Sequence, residues 1–218
     1  MGILELDPHR LHIYIRANIY LYGEAIDEAL ARCLEDEINS MWNEPRALVW
    51  MNRNPYLVLF QVGVSLFPTL TAEEVIHNRN PMNNYFRVEE FVLGNISFVD
   101  GIGCNTGFFK LENLYPGSTT AAHEFGHTLG LVHPNNIDHR GHGTPGIMYP
   151  RGTLVDAHLQ YDMNAIAGQA GGTLHPMHRR VLQQDVDQLY LENLIRRNEN
   201  VLGKFSSVFH LPHESEGL

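Results

Sequence analysis

The sequence predicts a single α+β domain, and three observations carry that reading. Residues 11–21 alternate between apolar and polar types with β-branched and aromatic side chains, which is the period of a strand. Residues 24–41 place Ile26, Leu30, Cys33, Leu34, Ile38 and Met41 at steps of three and four, which is one face of a helix packed on a sheet. Two further apolar runs, 47–51 and 56–67, read as strands separated by Asn52-Arg53-Asn54-Pro55. Strand, helix and strand in succession imply a right-handed crossover and a largely parallel sheet.

The remaining elements follow in order. Thr71 and Glu74 form a capping pattern that predicts a helical turn over 71–78, and the asparagine-rich run to residue 84 reads as a loop. Residues 85–93 and 95–99 are strand candidates joined at Gly94, Asp100 to Gly103 is a turn, and 104–111 is extended. Which of these segments forms the sheet edge is open at this stage. Residues 119–129 predict a helix that leaves at Gly130, and 134–145 and 151–172 read as loops. His175-Pro176 opens a C-terminal helix with Leu182, Val186, Leu189 and Leu194 on one stripe, and the polar segment 206–218 reads as a flexible tail.

The chain has 218 residues, enough for one domain with a substantial core, read as a sheet lobe over 1–132 and a looser lobe over 133–205. A formal charge of −10 and the lack of clustered Lys and Arg argue against a nucleic-acid surface and favour a protein or peptide partner. No apolar run has the length of a membrane span, and a monomer is expected. The first residues lack the basic start and apolar block of a signal peptide. With only Cys33 and Cys104 present, two buried free thiols are the expected state, one bridge between them being the alternative.

Chemistry concentrates in one stretch. His123 and His127 lie at i and i+4 on the helix, so they share a face one turn apart. Gly130 can take positive φ and turn the chain so that His133 returns to the same cation. Three neutral imidazoles without cysteine point to one catalytic zinc with an open position, and Glu124 is placed to take a proton from water there. Gly146-Ile147-Met148-Tyr149-Pro150 follows at a short interval.

These two motifs, in this order, resemble the signature of the metzincin clan of zinc endopeptidases. The run from Ala121 to Leu131 with Ile147-Met148-Tyr149-Pro150 is similar to matrixins, whereas Pro134, directly after His133, is more like serralysins. The resemblance implies a metzincin-like catalytic domain. Its parts would be a twisted, mostly parallel sheet with one antiparallel edge strand, a backing helix, an active-site helix, and a looser C-terminal lobe holding a Met-turn and a helix. It implies His123, His127 and His133 as zinc ligands, Glu124 as general base and acid, and Met148 as an apolar floor that tolerates modest substitution. Tyr149 is adjacent to the Met as in matrixins, and Pro150 occupies the place where serralysins and astacins carry a tyrosine ligand. Matrixins also hold a structural zinc and calcium, for which this chain offers only His77 and the turn at Asp100-Gly101, a plain turn being the simpler account.

The function expected is that of a zinc endopeptidase, secreted or extracellular in its full context. Two alternatives stand beside it: an effector or toxin-type protease domain from a larger polypeptide, and a protein-binding module without turnover. His139 and His142 read as solvated loop residues, the alternatives being a second cation site or contact with substrate, and His158 lies in the presumed pocket wall.

Overall fold

In the computed structural model the described residues are 1–161 and 173–213. They form a mixed α+β fold around a curled, mostly parallel sheet. Its strands are β1 (Gly2–Asp7), β2 (His12–Tyr22), β3 (Leu48–Met51), β4 (Asn54–Leu66), β5 (Asn83–Glu89), β6 (Phe98–Val99), β7 (Thr106–Lys110) and β8 (Val201–Leu202). The order across the sheet is β3-β4-β2-β5-β7-β6. Pairs β4–β2, β2–β5 and β5–β7 are parallel.

Antiparallel pairing goes further than a single edge strand. Both rims are antiparallel, β3 on β4 and β6 on β7. At the β3 rim the reversal is tight because Asn52 and Arg53 both take positive φ, 48° and 67°, which closes a two-residue hairpin. The N-terminal residues, to which the sequence assigned no element, form β1 on the first half of β2. There β1 occupies the side that β5 takes on the second half, and β8 pairs with β1 in turn.

Alternation along β2 decides the main core. Ile13, Ile15, Ala17, Ile19 and Leu21 are all buried on one face. Against that face lies α1 (Glu28–Asn43), capped by Asp27, whose carboxylate accepts the Leu30 N–H at 2.7 Å. Trp42 of α1 stacks near Phe60 and Phe125, at 4.9 and 5.8 Å between ring centroids, which joins the helix to the sheet and to the third helix. The opposite sheet face carries a smaller cluster with Tyr22, Leu70, Val75 and Tyr85, covered in part by the capped helix α2 (Ala72–Ile76).

Two C-terminal expectations change. The stripe from Leu182 to Leu194 is not one helix but α4 (Gln183–Asp187) and α5 (Leu191–Arg196), separated at Tyr190, whose φ is +50°. Val186, Leu189 and Leu191 still reach the main core, so the apolar pattern was met by two short helices. The segment expected as a flexible tail is held down over 206–213. Phe209 stacks on Tyr22, the Arg87 guanidinium donates to the His210 carbonyl, and His213 stacks on Phe108. The rest of that tail lies outside the described residues, as does the second half, 162–172, of the loop expected over 151–172.

Cys33 and Cys104 are both free thiols. Among the described residues no helix is long and apolar enough to cross a membrane.

Candidate metal centre

The helix α3 (Thr120–Thr128) carries the site and is buried along its whole length. Its N-terminus is held from outside. Thr119 takes φ +56° and gives no side-chain cap; instead Glu37 of α1 accepts the Ala122 N–H at 3.2 Å. Burial pushes the Glu37 carboxyl up, while N–H groups at Ala122, Ala121 and Thr119 and the charge of Arg179 pull it back. The Trp42 indole N–H donates to the Ala122 carbonyl at 3.1 Å, so α1 holds both the N–H and the C=O of one α3 residue.

At its other end the helix stops at Gly130, with φ +104°, a conformation that glycine adopts without a Cβ clash. The Leu131 N–H returns to the Gly126 carbonyl at 3.1 Å, and the chain brings His133 round. His133 Nε2 then lies 3.1 Å from His123 Nε2 and 3.0 Å from His127 Nε2. This is the one group of three or more candidate metal ligands among the described residues.

The Nδ1 atoms fix what those Nε2 atoms are. His123 Nδ1 lies 2.7 Å from the Ile147 carbonyl and His127 Nδ1 2.8 Å from the Leu131 carbonyl, so each must carry its proton there. Their Nε2 atoms are therefore bare lone pairs facing His133. Burial, the Arg179 charge and the neighbouring imidazoles push His123 well down, and burial foremost takes His127 to about 4 and lowers His133. Three neutral imidazoles with converging lone pairs are a donor set for a cation. Zinc takes histidine nitrogen at about 2.0–2.1 Å in tetrahedral geometry, which requires the rings to part by only a few tenths of an ångström.

Glu124 lines the same cleft and is 6% exposed. Burial pushes its carboxyl up to about 8 against the pull of Arg179 and of the Val99 backbone N–H. A cation among the three imidazoles would favour its ionised form. The cleft has a volume of about 470 Å³, and Ile96, Phe98 and Ile102 are among its apolar lining residues. The edge segment left open by the sequence is thereby decided: β6 ends the sheet beside the cleft, pairing with β7 alone among the described residues.

No family model matches the chain, and neither does any curated protein. Among solved structures it is similar to archaemetzincin from Methanopyrus kandleri, at 12% identity, with a TM-score of 0.39, over 88% of this chain and 100% of that one. A likeness of that degree carries over neither family nor activity. The geometry of the site stands by itself.

Other residues singled out in the sequence take definite places. Met148 is buried, and its sulfur lies 2.4 Å from where a Cβ on Gly126 would stand. Pro150 lines the cleft, while the Tyr149 ring packs on His139 at 4.6 Å between centroids. His139 is buried with Nε2 lacking a partner among the described residues, His142 lies 5.7 Å from it ring to ring, and neither joins the triad. His158 sits in a single 3₁₀ turn, and His77 ends α2. The Asp100 carboxylate is engaged by the Thr106 hydroxyl and by His210 Nε2.

Arg179 is what sequence reading missed. It is 4% exposed and ties three segments together. Its Nε–H donates to Thr119 Oγ1 at 2.8 Å, one terminal nitrogen to the Ser118 carbonyl at 3.1 Å and the other to the Tyr149 carbonyl at 3.2 Å. The C-terminal lobe is thereby fastened both to the start of α3 and to the segment beneath the triad. No local pattern around residue 179 signals this, since its partners are remote in sequence. Gly126 did carry a signal, a glycine in mid-helix, which asks for a close-packing reason.

Proposed function

We propose that this chain is a zinc-dependent peptidase of metzincin type. The observation that carries the reading is the convergence of the His123, His127 and His133 Nε2 atoms beside the buried carboxyl of Glu124 in a cleft bounded by a sheet edge. Zinc, when bound, supplies Lewis acidity that polarises a peptide carbonyl and makes water more acidic. The protein contributes the rest. Ile147 and Leu131 carbonyls hold the two helix imidazoles in the liganding tautomer, and the turn at Gly130 presents the third. Glu124 would accept the proton from the attacking water and return it to the leaving amine. An extended peptide would lie along the open side of β6, exchanging backbone hydrogen bonds with that edge.

Within this reading, cleavage inside a chain, rather than from its end, is the expectation that the motif resemblance supports. Matrixin-like closeness around the motif is part of the same proposal, as is a protein or peptide substrate met outside the cell. The deciding experiment pairs zinc content with cleavage of a diverse peptide mixture by the wild type and by Glu124→Ala. The wild type is expected to bind one zinc and cut. Glu124→Ala is expected to keep the zinc and lose cutting by at least two orders of magnitude. Cleavage undiminished in the variant overturns the role of Glu124, and failure of the wild type to retain zinc overturns the whole reading.

A further inference from the structure

The cleft is cationic in an acidic protein. The chain has 15 Lys and Arg against 25 Asp and Glu, yet two arginines, Arg151 and Arg179, line the cleft beside a single acid, Glu124. Of the five N–H donors of Arg179, three are taken by Thr119, Ser118 and Tyr149. Its contact with His123 Nδ1 at 3.0 Å adds no acceptor, because that nitrogen's proton is committed to the Ile147 carbonyl. All three acceptors are neutral, and the two carboxylates whose charges reach this guanidinium, Glu124 and Glu37, form no ion pair with it among the described residues.

Arg151 is exposed at the mouth and makes no hydrogen bond or ion pair among the described residues. The acid whose field it reaches, Glu112, is already paired with Lys110. The two guanidinium groups repel each other through the cleft. An incoming anion would relieve that repulsion and take up the two Arg179 N–H groups left over, since Glu124, even ionised as the proton acceptor, is one acid against two arginines in the lining.

We propose that Arg151 and Arg179 select substrates carrying a carboxylate close to the cut bond: an Asp or Glu side chain if cleavage falls inside a chain, or the substrate's own C-terminus, which would place the cut at the chain end instead. The inference rests on the peptidase reading for its substrate class, a peptide, but not for its test. The guanidinium geometry suits a bidentate carboxylate, and the acidic surface elsewhere leaves this cleft as the place where an acidic peptide is welcome.

Binding measured without turnover decides it. In Glu124→Ala protein loaded with zinc, three fluorescent peptides of one sequence are compared: capped at both ends with one Glu, capped with Gln in its place, and Gln with a free C-terminus. At least one carboxylate peptide is expected to bind tenfold or more tighter than the neutral one, and which of the two does so names the source. The preference should survive in Arg151→Lys and vanish or invert in Arg151→Glu, a substitution at an exposed position that leaves the anchor Arg179 intact. Equal affinity for all three peptides, no measurable binding of any, or a preference unchanged in Arg151→Glu overturns the proposal. Cleavage of a peptide mixture by the wild type reports separately on the peptidase reading. Cutting without carboxylate preference sinks this inference alone, and preference without cutting sinks the other.

Discussion

The sulfur of Met148 occupies the space that a β-carbon on Gly126 would need, 2.4 Å from that position, with the Trp42 ring 3.2 Å away on another side. The residue directly before His127 is thus glycine because the Met148 segment packs against bare helix backbone. Gly126→Ala gains a little helix propensity but forces the sulfur or the helix to move, at a net loss of about 1–3 kcal/mol. Chemical denaturation of Gly126→Ala, Met148→Ala and the double variant tests this. The double variant is expected to be more stable than the sum of the single losses predicts; simple additivity would show that the two do not touch. Met148→Leu, which keeps volume, should cost less than about 1.5 kcal/mol.

Glu37 acts on α3 as a cap borrowed from another helix. Glu37→Gln keeps an acceptor but removes the charge from the helix N-terminus, with an expected loss of ~1 kcal/mol of unfolding free energy. Glu37→Leu leaves the Ala122 N–H unsatisfied and is expected to lose more, about 2–3 kcal/mol, by the same measurement. Equal stability of Glu37→Leu and wild type would remove the cap from the account.

Zinc should stabilise the fold through the triad. A ligand at 100 times its Kd adds about 2.7 kcal/mol when it binds only the native state. Thermal melts with added zinc are expected to shift upward for the wild type, to shift equally for Glu124→Ala, and not to shift for His123→Ala. A chelator should return the wild type to its zinc-free midpoint.

Asp185 gives a pH signature away from the triad. It accepts the Leu182 N–H at 2.8 Å at the start of α4 and lies against Gly146. Burial raises its carboxyl from 3.8 to about 6, although hydrogen bonds from Leu182 and Ile147 oppose this. The folded-state value lies above the unfolded one, so the native state holds its proton more tightly. The stabilising contribution is complete below pH 3.8 and is lost as pH rises through about 6. Between pH 4 and 7 the wild type should lose about 3 kcal/mol relative to Asp185→Asn, an order-of-magnitude figure, in urea unfolding across that range. Parallel curves for the two proteins would contradict it.

The free side of β4 beyond its hairpin is covered by side chains of α1. Asn39 Nδ2 donates to the Val62 carbonyl at 2.7 Å while the Val62 N–H returns to Asn39 Oδ1 at 2.9 Å. Asn43 does the same with Phe60, and Glu35 accepts the Val64 N–H. Asn39→Ala with Asn43→Ala should lower stability by about 2–4 kcal/mol and expose a strand edge prone to association, visible as concentration-dependent scattering.

What the sequence determined by itself is whatever depends on spacing along the chain. The alternation in β2 and the three-four rhythm in α1 set period and burial, so those elements lie within a few residues of their expected positions. The i, i+4 histidines and the glycine exit likewise belong to one continuous segment whose geometry is local. Tertiary structure alone decided the relations between segments. β1 finds its partner only because β5 leaves half of β2 unpaired, and β6 becomes the cleft edge only through strand order. Leu182 to Leu194 had the right apolar spacing, but Tyr190 in the left-handed region split the helix to fit the core. Glu37 and Arg179 reach the site across 85 and 56 residues, to Ala122 and His123, so no window of sequence contains their partners. Periodicity records which face of an element is buried, and only packing fixes which charged group is carried into the interior beside it.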